Sequence, residues 1–330
     1  MILAGSKSYF MGYVIPKTIW MFWAQGYENA PNIIKKCRES WEKYNPDWTI
    51  NVLDMKNLTN FLPDFWITFS KNIDFLKSNL AALSDLLRIN LLCQYGGVWV
   101  DATCFCCLSL DDWLTEYTKQ GFFALNHINK NKLIDSWFLA ADKESYLIQQ
   151  WCAYTNSDLI TNRYKAYWHN FYRYENNLIQ SKNLKLFRTI FLKIGNKLRE
   201  GLLKYSLRDP KSTLTLVNPF IQKFQYLYYF YFHFHFTKLV FRDSKAKTIW
   251  DSTPHLSCNE MLVLGGSELV KIPLSENLKI REHIDQKKAP LYKLTHKSKY
   301  LSSDLDIKET ALYYLIAHHL GSDLANDFSI

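Results

Sequence analysis

Three side chains in this sequence have types and spacing that could do chemistry: Asp85, Arg88 and Asp101. Asp85 and Arg88 stand three apart in a helical pattern, so they lie on one face and can reach each other. That pattern runs through Tyr95-Gly96-Gly97 into the apolar run Val98-Trp99-Val100, which ends on Asp101. In an open α/β sheet, ligands sit at the carboxyl ends of the strands, so Asp101 stands where a nucleotide-sized ligand would bind. On spacing alone, Asp85 and Arg88 read as a surface ion pair contributing about 0.3–0.5 kcal/mol. The residues beyond Arg88 shift that reading, because this helix leads directly to the strand that carries Asp101.

The elements needed to position these residues can be traced along the chain. Ile15 to Trp23 reads as a buried first strand, opened by Pro16 and closed by the turn residues Gln25-Gly26. Helical spacing from Pro31 to Tyr44 stops at Asn45-Pro46, and a second strand from Thr49 to Leu53 ends on Asp54. This βαβ opening predicts a parallel sheet with a right-handed crossover. Leu76, Leu80, Leu83, Leu87 and Leu91 extend helical spacing over Asn72 to Tyr95, and Gly96 ends it. Strands are expected at Val98 to Asp101, Phe122 to Asn126 and Ser136 to Ala141, and helices around Tyr146 to Tyr154 and Glu309 to Leu320. In between, the alternation breaks down in a basic segment and an aromatic run from Phe224 to Phe236.

The stretch Leu83-Ser84-Asp85-Leu86-Leu87-Arg88 with Tyr95-Gly96-Gly97-Val98-Trp99-Val100-Asp101-Ala102-Thr103 resembles the sugar-nucleotide site of capsular polysaccharide synthesis proteins. These are related to glycosyltransferase family 32 and its DXD sugar-binding domain. The resemblance covers Ile15 to about Trp113 well, Ser136 to Ala141 moderately and the closing region weakly. It implies a GT-A type α/β fold: one domain over residues 1–330, with a central mostly parallel sheet and a helical insertion at about 160–240. It also implies transfer of a hexose from a nucleotide sugar, a UDP-sugar, to a lipid-linked oligosaccharide in capsular or surface polysaccharide assembly, with retention of anomeric configuration. Asp85 and Arg88 would contact the donor sugar and its phosphate. Asp101 would hold the donor or a divalent cation, Mn2+ or Mg2+. The motif here is Asp-Ala-Thr, so Thr103 supplies a neutral oxygen where family 32 has a second carboxylate, which weakens the metal's hold. In the related clostridial glucosylating toxins a tryptophan at the end of the equivalent strand lies against uracil. Trp23 aligns with it, Gly26 would allow close backbone approach, and Trp20 would be core or pocket wall. The ending Lys293-Leu294-Thr295-His296-Lys297 is similar to the family's, which makes Thr295, His296 and Lys297 phosphate contacts stabilising the leaving group.

Other candidates carry less. Asn126, His127, Asp135, Ser136 and Trp137 come after later strands and would line the acceptor side. His233 and His235 would share a face on a strand, but no third ligand stands at a useful spacing, so packing or acceptor contact outweighs metal. The seven cysteines show no paired spacing of the kind zinc needs and read as packing residues in a reducing, cytoplasmic setting.

Composition sets the outer limits. Apolar residues make up 48% and charged residues 22%, as in ordinary globular proteins, and no run of about 18 uncharged apolar residues suggests a membrane span. Met1 to Gly12 is too short and too weakly apolar for a secretory signal. Of the net charge of +9, the segment Lys182 to Arg208 holds +7. Within it Leu184, Phe187, Phe191, Ile194, Leu198 and Leu202 recur at three- and four-residue intervals and form one apolar stripe. A basic amphipathic helix of this kind suits an anionic membrane surface, placing the protein peripherally on the cytoplasmic face of the cell membrane. The opposing reading is a packed helix with a basic outer face. Nucleic-acid binding is disfavoured, because the basic residues border an apolar stripe rather than exposed aromatics. A membrane-associated scaffold that has lost turnover remains the alternative to an enzyme, kept open by the Asp-Ala-Thr departure.

Overall fold

Strand β1 (Thr18–Phe22) lies between β2 (Thr49–Leu53) and β3 (Gly97–Val100) and is parallel to both. The computed structural model describes residues 12–126, 132–164, 231–265, 272–296 and 305–326. Beyond β3 the sheet continues with β6 (Ile134–Ala141) and β5 (Phe122–Asn126), giving the order β2-β1-β3-β6-β5. Only β6 runs against the rest, since it is antiparallel to both β3 and β5. The expected mixed α/β architecture with a mostly parallel central sheet is therefore present. A smaller antiparallel pair joins β4 (Cys104–Cys106) to β7 (Leu291–Lys293).

Strand periodicity of two explains how the sheet separates two cores. Ile19 and Met21 of β1 and Val98 and Val100 of β3 face one side, packing with Ile33, Ile34, Cys37 and Trp41 of helix α1 (Asn32–Tyr44). Trp20, Phe22 and Trp99 face the other side, against Leu83, Leu86 and Leu87 of the helix Leu80–Tyr95 and Trp151 of the helix Tyr146–Thr161. Helices on both faces bury strands that read as continuous apolar runs.

Helix Leu80–Tyr95, which carries Asp85 and Arg88, is termed α2 here. Its N-terminus is capped by Asn79, whose side chain accepts from the Ala82 amide, so the long helix expected from Asn72 breaks there. At its other end Gly96 takes φ 70° and Gly97 φ 97°, both in the left-handed region that favours glycine. A Cβ on Gly97 would lie 2.5 Å from the Thr18 carbonyl oxygen. These two glycines let the helix pass straight into β3 and fix its register on β1.

Some sequence expectations need correcting. The first strand is shorter than Ile15 to Trp23, because Thr18 donates back to the Pro16 carbonyl in a turn. The end of the aromatic run is a helix, Tyr231–Arg242, so the strand geometry on which His233 and His235 would share a face is absent. Residues two apart on a helix are separated by about 200°, so His233 and His235 do not share a face. Both are buried, and burial pushes the His235 imidazole down to about 3. The basic segment Lys182 to Arg208 and most of the proposed insertion lie outside the described residues, as do His127 and Lys297.

Candidate active site

Strand order places the site. From β1 the chain crosses to β2 on one side, and β3 then pairs with β1 on the other side. In open α/β sheets ligands bind where the order reverses in this way, at the carboxyl ends of the strands. Here those ends carry Trp23 after β1, Asp54 after β2 and Asp101 after β3.

Asp101 is held from two sides. Its Oδ1 accepts from the Arg88 guanidinium at 2.8 Å and from the Trp99 indole N–H at 3.0 Å. Its Oδ2 accepts from the Lys293 ammonium at 2.7 Å, and the same ammonium donates to Thr103 Oγ1 at 2.7 Å. The backbone is fixed as well, with the Asp101 amide donating to the Trp137 carbonyl and the Cys104 amide donating to the Asp101 carbonyl. Lys293 comes from the far end of the sequence, and the β4–β7 pairing sets it opposite Cys104. Leu294 then donates to the Thr103 carbonyl at 2.9 Å, locking that register beside the motif.

Arg88 lies behind Asp101. One nitrogen donates to Asp85 and to Ser136 Oγ (2.9 Å); the other donates to Ser84 Oγ (3.0 Å) as well as to Asp101. The guanidinium carbon sits 5.1 Å from the Trp99 ring centre and 5.7 Å from that of Phe232, within cation–π range. The Arg88 and Asp85 side chains are only 6% and 9% exposed, whereas those of Asp101 and Lys293 are 26% and 20% exposed. The surface-ion-pair reading of Asp85 and Arg88 is thus replaced by a buried pair. These two residues support Asp101 and Ser136 from within, and Asp101 and Lys293 form the accessible edge.

The electrostatics reflect this layering. Burial pushes the Asp101 carboxyl up, but Lys293 and Arg88 more than offset that and hold it below the ordinary carboxylate range. Burial pulls the Lys293 ammonium down, and the Asp101 carboxylate more than restores it. Burial lifts Asp85 to about 7 against the pull of Arg88, with Asp101 adding to the rise. At neutral pH two cations therefore face one firmly ionised carboxylate and one that is titrating. That surplus of positive charge suits an anionic ligand.

The other expected residues fall into two groups. Trp23 comes directly after β1, half-buried, and its ring meets His296 edge to face with centroids 5.2 Å apart. This brings the first strand and the closing region together, with half-buried Thr295 beside His296. Gly26 adopts φ 85° in the turn that closes when its amide donates to the Trp23 carbonyl. Trp20 belongs to the core: it is 3% exposed, and its indole N–H donates to the Gly96 carbonyl at 2.9 Å. On the proposed acceptor side, Ser136 touches Arg88, Asp135 pairs with Lys132, and the Trp137 ring lies 6.0 Å from the Lys293 ammonium. Asn126 binds through its backbone to Leu256 and Cys258.

Trp99 and Ser84 are not singled out by sequence reasoning, and Lys293 stands there only at the head of the Lys293-Leu294-Thr295-His296-Lys297 ending, not as a partner of Asp101. A signal for Lys293 is nevertheless present. A lysine inside the apolar run Leu291-Tyr292-Lys293-Leu294 must meet a carboxylate if that run is buried, and its neighbours Tyr292 and Leu294 are.

Divalent cations bind through several oxygen donors, carboxylates foremost. Here both Asp101 oxygens take charged or N–H donors, Thr103 offers a neutral hydroxyl, and the Lys293 ammonium bonds to both residues. Among the described residues no group of three or more His, Cys, Asp or Glu is arranged to hold a metal. Among the described residues, the side chains around Asp101 do not fit a divalent cation. The cysteines form no such site either; burial pushes the Cys104 and Cys106 thiols up to about 12, as expected of packing residues.

The chain resembles fungal proteins named as glycosyltransferases. It is 26% identical over 151 residues to the O-glycosyltransferase braB of Annulohypoxylon truncatum, covering 41% of this chain and 36% of that protein. It is 28% identical over 151 residues to the glycosyltransferase afumC of Aspergillus fumigatus, covering 41% and 38%. The matched stretch thus spans little more than a third of each relative. Among solved structures, a PaToxG glycosyltransferase aligns with a TM-score of 0.37 at 15% identity, over 65% of this chain and 88% of that one. The family description that matches residues 9–174, half of the sequence, is that of capsular polysaccharide synthesis proteins, and these residues include Asp85, Arg88, Asp101 and Thr103; the chain belongs to that family.

Proposed function

We propose that this chain is a glycosyltransferase that moves a hexose from a nucleoside-diphosphate sugar, a UDP-sugar, to a lipid-linked oligosaccharide during capsular or surface polysaccharide assembly. The observation that carries this reading is Asp101 at the end of β3, gripped by Arg88 and Lys293 at the point where the strand order reverses. Family membership and the names of the relatives support the reaction class.

In this reading Asp101 accepts from hydroxyls of the donor, and the cationic edge receives the diphosphate. Trp23 offers a flat face to the base, with His296 beside it. Transfer with retention breaks the bond from the anomeric carbon to the diphosphate oxygen and forms one to the acceptor oxygen on the same face. The acceptor's proton passes to the departing diphosphate, so no separate protein base is required. Rate enhancement then comes from positioning and from charge stabilisation on the leaving group. Arg88 and Asp85, which the resemblance makes contacts of the donor sugar and its phosphate, lie behind Asp101 and in this reading act through it by fixing its orientation. The basic amphipathic segment Lys182 to Arg208 would hold the protein at the cytoplasmic face of an anionic membrane, where a lipid-linked acceptor is presented.

A panel of nucleotide sugars tested by thermal shift checks the donor assignment. A ligand that binds only the folded state raises the melting temperature. UDP-sugars are expected to raise it more than GDP-, ADP- or CMP-sugars. No shift with any of them would remove the donor reading.

A further inference from the structure

The Lys293 ammonium lies between the first and third residues of the Asp-Ala-Thr motif, bonded at 2.7 Å to Asp101 Oδ2 and at 2.7 Å to Thr103 Oγ1. A motif with two carboxylates at those positions would hold a divalent cation through their oxygens. With Thr103 at the third position the motif has lost one negative charge, and a monovalent ammonium balances what remains. The match extends to the backbone, since the β4–β7 register and the Leu294-to-Thr103 hydrogen bond hold Lys293 at this point. Arg88 supplies the second positive charge from behind, on the opposite oxygen of Asp101.

We propose that Lys293 serves in place of a divalent cation, binding the diphosphate of the donor directly, so that nucleoside diphosphate binding needs no metal. The proposal rests on the nucleotide-sugar reading above. An ammonium has three N–H donors, and Asp101 and Thr103 use two. The third is left for a phosphate oxygen at the accessible edge, where the Lys293 side chain is 20% exposed. As the bond between the anomeric carbon and the diphosphate breaks, negative charge grows on the departing oxygens. Lys293 stabilises it by a charge-assisted hydrogen bond while keeping its own proton. Asp101 keeps the ammonium protonated, as the raised basicity of Lys293 requires.

Calorimetric titration of the full chain with UDP, first in EDTA and then in manganese, tests this. UDP is expected to bind in EDTA, with an affinity that manganese changes by less than about threefold. Lys293→Ala should weaken binding in EDTA by about tenfold or more, the size expected from losing one hydrogen bond to a charged group. Lys293→Arg, which keeps the charge, should retain most of it. Should Lys293→Ala not fold, the EDTA and manganese titrations of the unaltered protein and of Lys293→Arg still decide. UDP binding that appears only with manganese overturns the role of Lys293 and leaves the donor reading standing. Equal affinity of unaltered protein and Lys293→Ala in EDTA does the same. Absence of UDP binding in both buffers overturns the donor reading together with the proposal.

Discussion

Lys293 and Asp101 stand 192 residues apart in the chain, yet their Nζ and Oδ2 atoms meet at 2.7 Å. Their bond joins the C-terminal strand pair to the end of β3, and it makes one carboxylate the meeting point of two cations. Removing that carboxylate should therefore affect both activity and stability. Asp101→Ala leaves Lys293 without a counter-charge and Arg88 with Asp85 alone. Breaking a fully buried pair costs about 3–5 kcal/mol, and the partial exposure of Asp101 reduces this to about 2–3 kcal/mol. Urea unfolding is expected to show that loss, with a smaller one for the isosteric Asp101→Asn. Loss of less than about 0.5 kcal/mol in Asp101→Ala would mean that the network contributes little to the fold.

The two tryptophans of the first strand region should separate cleanly. Trp20 is buried with its N–H bonded to Gly96, so Trp20→Ala is expected to cost about 3–5 kcal/mol of stability. Trp23 is half-buried at the site edge against His296. Base stacking on an aromatic ring contributes about 1–3 kcal/mol, so Trp23→Ala should weaken nucleotide binding roughly ten- to hundredfold with a smaller effect on unfolding. Similar effects of the two changes on binding and on melting would refute this division of roles.

Asp85 gives the site a pH signature. Its carboxyl is raised from the ordinary 3.8 to about 7, chiefly by burial. Between those values the folded protein holds a proton that the unfolded chain has released. Stability from this group is thus fully present below about pH 4 and is lost as pH rises through 7. Asp85→Asn has no such proton to lose. The stability of the unaltered protein relative to Asp85→Asn is expected to fall between pH 5 and pH 8 in urea titrations. A difference that stays constant over that range would place Asp85 at an ordinary carboxylate value.

Much of the fold is legible in the sequence where a pattern is local. The strand Thr49–Leu53, the helix from Asn32 to Tyr44 and the Gly96 helix end all arise from periodicity and turn chemistry. So does the placement of Asp101 at a strand's carboxyl end. What the sequence conceals depends on long-range contact. Asp85 and Arg88 have the spacing of a surface pair, and it is long-range packing, including Phe232 and Trp99 against the Arg88 guanidinium, that makes the pair buried. Lys293 stands out less in the sequence than Thr295, His296 and Lys297, because its partner is set by the pairing of β7 with β4, which no local pattern specifies. The aromatic run breaks the local alternation, and only its packing in the core shows that its end forms the helix Tyr231–Arg242.

The glycine junction is a third point of sensitivity. A Cβ on Gly97 would press on the Thr18 carbonyl at 2.5 Å, in a backbone conformation that L side chains rarely adopt. Gly97→Ala is expected to lower stability by more than about 1 kcal/mol and to reduce donor binding as β3 shifts against β1. Unaltered binding and melting in this variant would show that the junction tolerates movement.

The proposed membrane attachment would depend on both terms of the basic stripe, its charge and its apolar face. Each lysine or arginine near an anionic surface contributes about 1 kcal/mol, a contribution that weakens as salt rises. Liposome flotation should recover the protein with anionic vesicles but not neutral ones. Phe187→Ser together with Phe191→Ser should abolish that recovery. Equal recovery in the soluble fraction with both vesicle types would make the segment a packed helix.

The central claim, sugar transfer from a nucleotide donor at Asp101, is tested most directly by nucleoside diphosphate release. UDP-sugars would be incubated with the unaltered protein and with Asp101→Asn, and the UDP formed measured by chromatography with and without a lipid-linked oligosaccharide acceptor. UDP release that the acceptor stimulates, and that Asp101→Asn reduces by about a hundredfold or more, is the predicted result. Release at the same rate in Asp101→Asn, or no release from any nucleotide sugar by the folded protein, would contradict it.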